Sequence, residues 1–235
     1  MRMLWVALML PLYAFADQPA SFSAAKREMT AIYADNPRSF YCGCNYGTRG
    51  KRLEPDLASC GYQARKNAGR AGRIEWEHVM PAWVFGHQRQ CWQQGGRQAC
   101  SKDPDFKLME ADMNNLVPAI GEVNGDRSNY AYGMISGEPR AYGACDVEVD
   151  FKGRTLEPSD AIRGDIARIY FYMQDRYDLR LSKSETRLLE VWNRADPVDL
   201  WEFERNRRIR AVQGFGNPYV EAGQRVLVRN SADIK

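Results

Sequence analysis

The chain has 235 residues, 44% hydrophobic and 27% charged, long enough to bury one substantial core and not built as a low-complexity tail. Its 33 Lys and Arg against 30 Asp and Glu leave a net charge of +3, too mild by itself to identify a nucleic-acid binder. With only two histidines, a site built on three of them is excluded.

Residues 1–16 read as a secretory signal peptide, with basic Arg2, an apolar run from Met3 to Leu12, and Ala14-Phe15-Ala16 as the cleavage site before Asp17. The run falls short of the roughly 20 apolar residues that a membrane span needs, which disfavours a retained anchor. An exported domain over residues 17–235 follows, and losing Arg2 lowers its charge by one.

Within that domain, Ser21 to Ala34 reads as a first helix, with Phe22, Met29, Ile32 and Tyr33 near helical spacing and Asn36-Pro37 ending it. Ser39 to Cys42 is predicted as a short strand, and Gly43 to Gly61 as a loop. Arg73 to Glu77 reads as a strand, Pro81 opens an irregular or helical piece, and Asp105 to Met113 forms a short helix. "NLVPAIGEVNGDRSN" is read as a loop followed by a short helical piece. Val147, Val149 and Phe151 alternate as a strand face. Ser159 to Tyr177 is the longest helix, followed by Ser184 to Asn193 and Val198 to Val212. The expected plan is α+β: a mostly helical single domain with a small irregular sheet.

Six cysteines, all after the leader, point to three disulfides in an oxidising compartment. Zinc is the competing reading, but Cys42-Gly43-Cys44 lacks a knuckle's spacing. Gly95-Gly96 can fold the chain back between Cys91 and Cys100, so these two are expected to pair across a loop. Cys42 and Cys44 are then left to take Cys60 and Cys145, in an order the sequence does not fix.

The chemistry concentrates in "EWEHVMPAW". A lone histidine is more often a buried structural residue, but His78 stands beside Glu77, a hard oxygen donor suited to magnesium or calcium, and neutral imidazole suits proton abstraction from water. Adjacent strand residues face opposite ways, so joint action requires the chain to bend there. His78 and His87 are too far apart for a zinc-protease motif, and no G-x-S-x-G elbow occurs. Metal-assisted hydrolysis remains as the enzymatic class. Trp76 and Trp83 read as core residues in preference to base-stacking platforms. Lys51-Arg52, Arg65-Lys66, Arg70, Arg73 and the arginines at 205, 207, 208 and 210 are groupings able either to track phosphates or to form solvated faces.

"RIEWEHVMPAWVFGHQRQCWQQGGRQAC" followed by "NLVPAIGEVNGDRSN" resembles the bacterial endonuclease I family, and the resemblance runs from "FYCGC" to "QGFGNPYV". It implies a periplasmic or secreted, disulfide-stabilised nuclease with a ββα-metal motif, acting as a monomer on DNA and RNA without sequence preference. It also implies magnesium, or another divalent cation, held by Glu77 and Asn124, with His78 as general base and Arg97 stabilising the phosphate. Asn124 before Gly125 could instead only shape a turn, and Arg97 could be a solvated loop residue. Glu75, Arg127 and Asn129 are close enough in sequence to contact phosphate or orient the shell. Two departures stand out: Asn114 occupies the histidine position of the family's His-Asn-Leu, and a C-terminal cysteine pair is replaced at Phe203 and Gly223. The competing function is an exported nucleic-acid-binding protein without catalysis.

Overall fold

The computed structural model describes residues 18–223 except residue 138, so the proposed signal peptide lies outside the described residues. The first helix, α1 (Phe22–Ile32), starts where the Ser21 hydroxyl accepts from the Ala24 amide, and it buries Ala25, Met29 and Ile32. Ser39 to Cys42 does not become a strand. Its backbone closes on itself, with the Gly43 amide donating to the Ser39 carbonyl and the Ser39 amide to that of Cys44, both at 2.8 Å. The expected loop from Gly43 to Gly61 instead holds a hairpin, β1 (Tyr46–Arg49) and β2 (Arg52–Pro55), turned at Gly50 with φ +61°. Most of the hairpin is exposed, so it lacks the alternating apolar face that would mark it in the sequence.

A short helix, α2 (Ala68–Ala71), leads into β3 (Ile74–His78). Three helices follow: α3 (Ala82–Gly86), α4 (Gln90–Cys100) and α5 (Pro104–Glu110), the last capped by Asp103. The segment between Cys91 and Cys100 is therefore helix broken at Gly95-Gly96, where the backbone leaves helical angles, and not a plain loop. A strand, β4 (Leu116–Ile120), then pairs antiparallel with β3 and runs directly into α6 (Gly121–Arg127), which gives the ββα order. The sequence predicts a loop followed by a short helical piece over "NLVPAIGEVNGDRSN", and its first part is instead this strand, which contains Pro118. The structure shows why the proline is tolerated: the Pro118 carbonyl accepts from Phe40 on the side away from β3, so its missing N–H falls on that side too.

The remaining strands, β5 (Ala131–Tyr132), β6 (Val147–Asp150) and β7 (Thr155–Pro158), form a third small sheet in the order β5-β7-β6. Helices α7 (Arg163–Tyr177), α8 (Lys183–Ala195) and α9 (Leu200–Gln213) complete the α+β domain. α8 opens on a Ser182/Glu185 capping box, and a buried Arg168–Glu202 ion pair at 2.6 Å joins α7 to α9. Disulfides join Cys42 to Cys145, Cys44 to Cys60 and Cys91 to Cys100. The second closes the hairpin at its base and the first ties that region to the approach to β6. Among the described residues, no helix is long and apolar enough to cross a membrane.

Candidate active site

The ββα unit and α4, which lies between its two strands in the chain, bring all four expected residues to one cleft of about 280 Å³: Glu77 and His78 from β3, Asn124 from α6 and Arg97 from α4. In β3, Glu75 and Glu77 share one face while Trp76 and His78 share the other. The cleft takes in both, because the chain leaves the strand after His78 and Pro81 and Ala82 form part of its wall.

Glu77 and His78 are both buried. Glu77 Oε1 accepts from the Tyr41 hydroxyl at 3.1 Å and from Arg127 Nη1 at 2.9 Å. Arg127 is itself fully buried and also donates to the His78 and Val79 carbonyls, with its guanidinium over the Tyr132 ring. One cation thus fixes both the Glu77 carboxylate and the backbone that carries His78. Burial pushes the Glu77 carboxyl up to about 7, against the opposing pull of Arg127 and Tyr41.

His78 Nε2 lies 2.8 Å from the Glu110 carbonyl oxygen. A carbonyl can only accept, so Nε2 carries the proton and the Nδ1 lone pair is left free. The ring sits between Phe22 and Phe85, at centroid distances of 4.7 and 6.0 Å. Desolvation pushes its pKa down to about 4 despite the Glu110 carbonyl, so the imidazole is neutral at neutral pH. The Glu110 side chain takes Arg97, whose Nε and Nη2 both donate to Oε1, at 2.9 and 2.6 Å. Glu110 therefore orients the histidine through its backbone and the arginine through its carboxylate.

Asn124 Nδ2 donates to Glu75 Oε2 at 3.1 Å, and Glu75 is clamped by Arg70 and Arg73. That contact fixes the amide and turns the oxygen away from Glu75 as an available donor. Glu77 offers its second carboxylate oxygen, since Oε1 takes the Tyr41 and Arg127 bonds. Two hard oxygen donors on one cleft fit a cation that keeps several waters and takes phosphate oxygens. Among the described residues no cluster of three His, Cys, Asp or Glu is placed to hold a metal, so a caged zinc does not fit.

Tyr41 and Glu110 are site residues that the sequence does not mark, whereas Arg127 is one it places near enough to orient the shell without fixing its role. Arg127 was noticed in "GDRSN", but its burial under Glu77 has no local signature. Asn114 is fully buried away from the cleft, so the missing histidine there removes no group from this site. The expectation that Trp83 is core is overturned, since it is 44% exposed, whereas Trp76 is partly buried against the core. The C-terminal arginines are largely engaged internally: Arg205 is buried on backbone carbonyls, Arg207 and Arg208 hold Glu204, Arg208 also holds Asp35, and Arg210 holds Glu221.

Comparison with known proteins gives a match of residues 10–224 to the family described as Endonuclease I. The chain is 52% identical to an extracellular deoxyribonuclease of Aeromonas hydrophila over 219 residues, covering 93% of this chain and 95% of that one. It is 52% identical to a periplasmic deoxyribonuclease of the same organism over 207 residues, 88% and 87% of the two chains. Identity to Endonuclease-1 of Buchnera aphidicola subsp. Acyrthosiphon pisum (strain APS) is 48% over 200 residues, 85% and 80% of the two chains.

Proposed function

Because the chain belongs to the endonuclease I family, we propose that it is a magnesium-dependent, sequence-non-specific endonuclease that hydrolyses phosphodiester bonds in DNA and RNA. It is a nucleic-acid hydrolase and an exported protein, periplasmic or secreted, as its relatives' names state of them. The observation that carries the finer reading is the Nε2–H bond from His78 to the Glu110 carbonyl, which presents a neutral Nδ1 lone pair to the cleft holding Glu77, Arg97 and Asn124.

In this reading His78 Nδ1 takes the proton from the water that attacks phosphorus. Arg97 leaves Glu110 in part or whole to donate to the phosphate oxygens as charge builds on them, and the departing oxygen takes its proton from solvent. Glu77 and the Asn124 amide oxygen would hold magnesium or a similar hard divalent cation. Bound there, the cation supplies Lewis-acid polarisation of the phosphate and stabilises the leaving oxygen. Arg127 and Tyr41 keep the Glu77 carboxylate in place. Groups aimed at phosphate read backbone and not base, which supports non-specific cutting and both nucleic acids as substrates. One chain contributes all four residues, so a monomer suffices.

Supercoiled plasmid separates the alternatives. Cleavage is expected with magnesium and not with a chelator, and His78→Ala should lose roughly 10²- to 10⁴-fold in rate while still binding DNA. Equal cutting in chelator would remove the metal from the mechanism. A wild-type rate for His78→Ala would make His78 a core histidine and nothing more.

A further inference from the structure

The cleft does not end at Arg97. A second groove of about 360 Å³ continues from it, sharing Arg70, Arg97, Asn124 and Ser128, and Trp83 and Trp92 line its other side. Trp92 is wedged against Gly86, where a Cβ would overlap its ring, so that wall is fixed. Trp83 is different. It is 44% exposed, and its indole is stacked on His87 at 4.1 Å between centroids and 13° between planes. The His87 Nδ1 proton is donated to the Trp83 carbonyl at 2.7 Å, which pins the imidazole against the indole. One ring face is thereby covered and supported. A large, rigid aromatic surface is left uncovered beside two arginines.

We propose that this groove is a nucleobase subsite, in which Trp83 stacks the base of a nucleotide flanking the phosphate that Arg97 holds. The proposal rests on the nuclease reading and adds to it a contact beyond the backbone. Exposure of an indole costs hydrophobic burial, and its position next to a phosphate-binding arginine matches the alternation of phosphate and base along a strand. The contact tolerates any sequence, because every base has a π face. It does not tolerate every secondary structure. A base in a duplex is already stacked on its neighbours and must leave them to reach the indole, so single strands, gaps and frayed ends gain most.

The test is equilibrium binding in chelator, which prevents cleavage, of the whole protein to a short fluorescein-labelled single-stranded DNA and to the same backbone with every base replaced by an abasic unit. Wild type should bind the intact strand roughly 5- to 150-fold more tightly than the abasic one, the span that a single stacked base provides. Trp83→Ala should lose most of that advantage while binding the abasic strand as wild type does. Trp83→Phe should keep much of it. Thermal melting of each variant guards against misfolding, and Trp83→Phe and Trp83→Leu carry the comparison if the alanine variant does not fold. Equal losses on both strands, or Trp83→Ala binding the intact strand as wild type, would overturn the subsite. A wild-type protein that cuts plasmid but shows that result leaves the nuclease reading standing. One that neither binds nor cuts nucleic acid removes both.

Discussion

Glu77 and His78 are adjacent, yet burial moves their protons in opposite directions, to about 7 for the carboxyl and about 4 for the imidazole. The two shifts act oppositely on stability in the metal-free protein. His78 resists a proton that the unfolded chain accepts, so its contribution is full above the unfolded value of about 6.5 and is lost as pH falls toward 4. Glu77 keeps a proton that the unfolded chain releases, so its contribution is full below the ordinary carboxyl value of 4.5 and is lost as pH rises through about 7. Between those unfolded values the two slopes, each up to about 1.4 kcal/mol per pH unit, largely cancel. Replacing one partner should uncover the other. In chelator, His78→Gln should lose stability as pH rises from 5 to about 7, and Glu77→Gln should lose it as pH falls from 6.5 to about 4. Urea melts across that range check both signs, and the same slope in both variants would mean that the two groups do not titrate independently.

Among the elements, α2 and α6 are clamped together beside the site. The Arg70 guanidinium lies where a Cβ on residue 125 would fall, and it reaches Glu75, which in turn holds the Asn124 amide. Gly125→Ala should therefore push Arg70 off Glu75 and release Asn124 while leaving β3 in place. The expected result is metal affinity weakened by roughly tenfold or more, at the scale of outer-shell substitutions, with a small change in melting temperature. Titration calorimetry with magnesium measures it, and unchanged affinity would show that the clamp is dispensable. This chain of contacts also shows what the sequence could display. Glu77 beside His78 was legible because the two are contiguous and chemically unusual among tryptophans. The longest helix, α7, was legible from its apolar spacing. Residues whose roles come from distant partners were not: Tyr41 meets Glu77 across 36 positions, Arg127 across 50, and Glu110 meets His78 across 32. Strand β4 was hidden for another reason, since it is buried along its whole length and so has no alternation to see.

At the scale of the molecule, charge is arranged by pairing more than by a uniform basic face. Arg207, Arg208 and Arg210 near the C-terminus are tied to Glu204, Asp35 and Glu221. DNA affinity measured in chelator against salt should fall linearly on logarithmic axes, with a slope of about −0.9 per phosphate neutralised. Arg97→Ala should reduce that slope by about one, whereas a combined Arg207→Ala and Arg210→Ala variant should leave it unchanged. A shallower slope in the second variant would place the C-terminal helix against the nucleic acid after all. The Cys42–Cys145 bridge closes a ring across a separation of 103 residues, and Glu77, His78, Arg97 and Asn124 all lie inside it. A single proteolytic nick within that ring opens a circle without releasing a piece. The nicked enzyme should run as one band on a non-reducing gel, as two after reduction, and keep its activity only while the bridge is intact, so in a protease-rich exterior this bond sets how long the enzyme survives its first cut.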